Sequence, residues 1–86
     1  MRTTRRTYNY ESAYETDTTI EITAFVHGGY LNAMRQRNPQ SDPTIGFDLK
    51  MPYYYDRTAK GARDYCERIA QTRDTNVKLT IVYQNR

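Results

Sequence analysis

An 86-residue chain holding one cysteine makes a single domain with a small core and no internal disulfide. Its 13 Lys+Arg against 10 Asp+Glu give a net charge of +3. That excludes the strongly acidic surface of a DNA mimic and permits an anionic partner. A hydrophobic fraction of 37% already counts nine tyrosines, beside two phenylalanines and no tryptophan.

Residues 5–15, rich in Thr and Tyr, predict a first strand, with Tyr8, Tyr10 and Tyr14 on one face. Thr16-Asp17-Thr18 reads as a tight turn. Residues 19–27 alternate cleanly. Ile20, Ile22, Ala24 and Val26 share one face, and Glu21, Thr23, Phe25 and His27 the other. Gly28-Gly29 breaks this second strand.

Residues 30–43 predict an irregular or short-helical connection. Leu31 and Met34 stand at helical spacing, and Asn38-Pro39-Gln40-Ser41-Asp42-Pro43 has the composition of a loop. Residues 44–51 alternate again, with Ile45, Phe47, Leu49 and Met51 on one face. Pro52 ends that strand.

Asp56 or Thr58 can cap a helix over 57–72. Its apolar stripe is Ala59, Ala62, Cys66, Ile69 and Ala70, with Tyr65 at one edge. After a turn at 74–76, a last strand over 77–83 turns Val77, Leu79, Ile81 and Tyr83 inward.

The expected architecture is a two-layer α+β sandwich. A four-stranded, mainly antiparallel sheet is covered on one face by a single helix, in the order strand, strand, irregular segment, strand, helix, strand. The uncovered face would carry Glu21, Thr23, Phe25, His27, Asp48, Lys50, Lys78, Thr80, Val82 and Gln84, and it is polar enough to stand in water.

Catalytic constellations are thin. His27 is the single histidine, and no Cys or His pair has metal-ligand spacing. A Cys66–His27 dyad requires Cys66 to leave the buried stripe. No glycine pattern forms a phosphate loop. The expectation is a non-enzymatic protein without cofactor or metal. No run approaches the roughly 18 apolar residues of a membrane span. The polar, basic start and the lone thiol suit a cytoplasmic protein.

Binding residues do cluster. Arg5, Arg6, Tyr8 and Tyr10 lie together near the start. Lys50, Tyr53, Tyr54, Tyr55 and Arg57 lie together at a strand end and helix start, and Arg35 and Arg37 sit in the irregular segment. Aromatics that stack bases and arginines that take phosphates are how single-stranded nucleic acid is held. The expected function is therefore a small basic module that binds RNA, other single-stranded nucleic acid or a protein–RNA assembly. Because Glu21 and Asp48 repel phosphate, the strand ends and loops are expected to bind, and the open sheet face is not. Two other functions suit the same residues. One is a protein-binding inhibitor of the phage counter-defence kind, anchored by Tyr and Arg. The other is a self-assembling subunit or homodimer, in which a second copy supplements the small core.

Overall fold

The computed structural model describes residues 2–41 and 44–85; Asp42 and Pro43 of the expected loop lie outside them. Five strands and one helix follow in the order β1 (Arg2–Tyr10), β2 (Thr19–His27), β3 (Tyr30–Arg37), β4 (Gly46–Asp48), α1 (Ala59–Thr72) and β5 (Asn76–Asn85). The sheet order is β1-β5-β2-β3-β4. The α+β class and the single helix on one face are as expected; the sheet has five strands where four were expected, and it is mixed.

The additional strand is β3, in the segment expected to be irregular or short-helical. Gly28 and Gly29 both have positive φ, at 60° and 84°. A two-residue turn of that shape closes a hairpin in which His27 pairs with Tyr30. The pairing then slips. Val26 faces Leu31, but Phe25 faces Ala33, so Asn32 bulges out. The bulge moves the inward positions of β3 to Leu31 and Met34, three residues apart. That spacing imitates a helix, which is why the periodicity misleads here.

β2 and β5 run parallel, while every other pair in the sheet is antiparallel. Parallel pairing requires a crossover, and α1 supplies it between β4 and β5. Segment 11–18 carries the chain from β1 past the start of β5 to β2. Asn76 secures this passage. Its side chain accepts from the Ser12 amide at 2.8 Å and donates to the Thr16 carbonyl at 3.4 Å, and its own amide donates to Thr18 at 2.8 Å. The first strand consequently ends at Tyr10, not at residue 15, and Tyr14 lies in the passage, exposed.

The helix starts at Ala59, two residues later than expected. Thr58 caps it, with its hydroxyl accepting from the Gly61 amide at 3.2 Å. Gly61, Ala62, Cys66, Ile69 and Ala70 form the buried stripe. Gly61 is there by necessity, because a Cβ on it would lie 1.9 Å from the Asp56 carbonyl oxygen. The core sits between α1 and the inward side chains of β2 and β5, led by Ile22, Val77, Leu79 and Ile81.

The third expected strand, over 44–51, shrinks to Gly46–Asp48. Met51 is buried and Leu49 packs against the core, but Ile45 and Phe47 are exposed. The reason is position. β4 is the edge strand beyond β3, and α1 packs over β5, β1, β2 and β3 without reaching it.

Candidate functional site: the open sheet face

Strand alternation and register lay out the face that α1 leaves uncovered. Four rows cross the sheet. Thr3, Gln84, His27 and Tyr30 make the first, and Arg5, Val82, Phe25 and Ala33 the second. Thr7, Thr80, Thr23, Arg35 and Asp48 make the third, and Asn9, Lys78, Glu21, Arg37 and Gly46 the fourth. The face therefore grades from aromatic side chains, through threonines, to charge.

A shallow concavity of about 430 Å³ opens over the charged half and reaches Arg5 and Phe25. Four cations from three strands line it: Arg5, Lys78, Arg35 and Arg37. Glu21 lies among them. It accepts from Arg37 Nε at 3.0 Å and stands 3.9 Å from Lys78 Nζ. Arg35 Nε is 3.4 Å from Asp48, and Arg35 also donates to the Gly46 carbonyl. Both carboxylates are thus engaged by neighbouring cations, and four cations against two carboxylates leave the face at +2. The Arg5 side chain has no hydrogen bond or ion pair among the described residues. It and Phe25 flank Val82, which they shield to 3% exposure.

The expected site residues separate onto different surfaces. Arg5 is on the open face, but Arg6, Tyr8 and Tyr10 alternate to the helix side. Tyr8 and Tyr10 pack on the core, and Arg63 of α1 lies over the Tyr8 ring at 5.4 Å. Burial raises the Tyr10 pKa. The cluster at 5–10 is therefore a neighbourhood in sequence and not on the surface. Arg35 and Arg37 join Arg5, because β3 is a strand and both fall on its open side.

The 50–57 cluster forms a separate shelf. Tyr53 and Tyr54 are 90% and 70% exposed. Their rings meet edge to face at 5.6 Å, and the series continues through Tyr55 to Tyr65 of α1 at 4.8 and 5.3 Å. Tyr55 packs against the core. Arg57 fastens the loop, donating to the Met51 carbonyl at 2.9 Å while its own carbonyl accepts from the Leu31 amide at 2.9 Å. Lys50 is exposed beside this loop, beyond the end of β4 and off the open face.

The expected binding residues left out Lys78, Phe25 and Thr80, all of which line the concavity. The alternation of β2 and β5 had already placed them on one face. What was missing was the register that sets Lys78 and Arg37 on either side of Glu21.

The sulfur of Cys66 is fully buried, and burial pushes its pKa up to about 12, so the thiol stays protonated at neutral pH. His27 lies across the sheet from it, and the two form no dyad. No group of three or more His, Cys, Asp or Glu that could hold a metal ion occurs among the described residues. Among them no helix is long and apolar enough to cross a membrane. Comparison with protein-family models, curated proteins and solved structures finds no match, so the site is read from its own geometry.

Proposed function

We propose that this chain is a non-enzymatic binding module whose open sheet face holds single-stranded nucleic acid, either free RNA or the RNA of a protein–RNA assembly. The observation that carries the reading is the convergence of Arg5, Lys78, Arg35 and Arg37 on one concavity beside Phe25. Phosphates pair with guanidinium and ammonium groups, and a base stacks on the Phe25 ring. Arg5 and Arg35 stand three strand spacings apart across the sheet, about 14 Å, and two residues apart along it, about 7 Å, so a bound strand crosses the sheet obliquely toward the threonine row. Glu21 and Asp48 do not forbid this, because each already carries a cation. A single strand suits the face better than a duplex, whose bases are not free to stack.

The test is binding of a fluorescent oligouridylate across a salt series. Replacing Arg5 and Arg35 together by Gln is expected to weaken binding at least tenfold, about 1.4 kcal/mol. The salt slope should become shallower by about 1.4, from two lost phosphate contacts at about 0.7 each. Unchanged binding at every salt concentration would refute the reading.

The tyrosine shelf supports a second reading, that of a protein-binding inhibitor. Tyr53 and Tyr54 are large, rigid and exposed, which is the make-up of interface anchors. If Tyr53→Ser with Tyr54→Ser abolishes binding to a protein target while oligouridylate binding was never present, this reading replaces the first.

A further inference from the structure

The sheet ends differently on its two sides. β4 is an edge of three residues, whereas β1 is an edge of nine. The pairing of β1 with β5 runs from Arg2 to Tyr10 without a register shift. β1 contains no proline or glycine. Among the described residues no strand pairs with its outer side. Segment 11–18 turns away over the start of β5 and leaves that side bare. A long, regular, unpaired edge is a template for another strand.

We infer that β1 pairs with β1 of a second copy of this chain, antiparallel and two-fold symmetric, in the register centred on Thr7. A two-fold axis normal to the sheet keeps like faces together, so the axis passes through a residue position. The side chains then choose which residue. Centring on Arg5 or on Arg6 sets an arginine directly against its own copy. Centring on Thr4 sets Arg2 against Arg6 and Arg5 against Thr3. Like charges directly opposite are destabilising. Centring on Tyr8 avoids that but overlaps only residues 6–10.

Centring on Thr7 overlaps residues 4–10 and opposes no two charges. Thr7 meets Thr7, Arg6 meets Tyr8, Arg5 meets Asn9 and Thr4 meets Tyr10. Threonine pairs and arginine on tyrosine are favourable neighbours. The arginines of β1, which would ordinarily keep an edge from aggregating, here select one register. The product is a ten-stranded sheet with both helices on one side and both open faces on the other. This inference stands apart from nucleic-acid binding, since it uses the backbone edge and not the concavity.

The test begins with sedimentation velocity on the full chain over a concentration series. A species of twice the 10.2 kDa chain mass is expected, with its population rising with concentration. Thr7 is exposed, so Thr7→Lys leaves the fold intact while setting two lysines face to face; it should give monomer throughout. The register is read with Thr7→Cys and Asn9→Cys, each incubated with oxidised glutathione as the electron acceptor. Thr7→Cys should cross-link into a covalent dimer much faster than Asn9→Cys, whose two thiols lie about four residues apart along the strands. A chain that stays monomeric at every concentration overturns the inference. So does a Thr7→Lys chain that still dimerises, or an Asn9→Cys chain that cross-links at least as fast.

Discussion

The two faces of this sheet are built from alternate residues of the same strands, and they do different work. On β5, Val77, Leu79 and Ile81 point under α1 and are almost inaccessible, while Lys78 and Thr80 between them point into the open concavity. On β2, Ile22 is 1% exposed and its neighbour Glu21 holds two cations. Stability is concentrated on one face and charge on the other. Substitutions one residue apart should therefore affect different properties.

The largest effect belongs to the covered face. Ile22→Ala or Leu79→Ala removes a fully buried aliphatic chain and leaves a void that α1 cannot close. Each should cost about 2–5 kcal/mol, a large part of the roughly 5–15 kcal/mol that a small domain has. Urea denaturation followed by far-UV circular dichroism measures it. A midpoint close to wild type would mean that the core lies elsewhere.

Gly61→Ala comes next, and its sign is informative. In an exposed helix interior that change gains about 0.5–1 kcal/mol. Here the new methyl meets the Asp56 carbonyl oxygen, and either the loop or the first turn of α1 has to shift. A loss of about 1–3 kcal/mol is expected from the same denaturation experiment.

Cys66 adds a pH signature that the open face lacks. The unfolded thiol titrates near 9.0 and the folded one near 12. Between those values the unfolded chain has released its proton and the folded chain has kept it. Stability from this group is thus complete below pH 9 and falls as pH rises toward 12, by at most about 1.4 kcal/mol per pH unit. Tyr10 and Tyr65, also raised by burial, push in the same direction. Stability curves for Cys66→Ala should decline less steeply over that interval than those of wild type.

What could be read from the sequence divides along the same line. β2, α1 and β5 were legible because a buried face imposes a period of two or 3.6 on aliphatic residues. β3 was not. The bulge at Asn32 replaced that period with a spacing that suits a helix, although the Gly28-Gly29 pair between two runs was a hairpin signal. The aromatic and basic cluster at 5–10 was visible as composition, yet the strand alternates it onto two faces. The neutralisation of Glu21 and Asp48 was beyond reach, because it depends on which strands are neighbours and in what register. Local periodicity is written in the chain, whereas cross-strand charge pairing appears only once the sheet is assembled.

The smallest expected effect on stability, and the sharpest contrast with its neighbour Ile22, is Glu21→Gln. The Glu21 side chain is 26% exposed and its cation neighbours 49%, so the ion pairs are hydrated and contribute at most about 1 kcal/mol. Folding should barely change. Binding should change in the direction opposite to Arg5→Gln with Arg35→Gln. Losing the carboxylate raises the charge of the concavity by one and releases Lys78 from Glu21, its counter-charge among the described residues, toward an incoming phosphate. Oligouridylate affinity should rise several-fold at low salt, and the salt slope should steepen by up to about 0.7 for one added phosphate contact. The gain should shrink as salt screens the face. Should Glu21→Gln weaken binding or leave the salt slope unchanged, phosphate does not lie in this concavity, and the tyrosine shelf becomes the place to look.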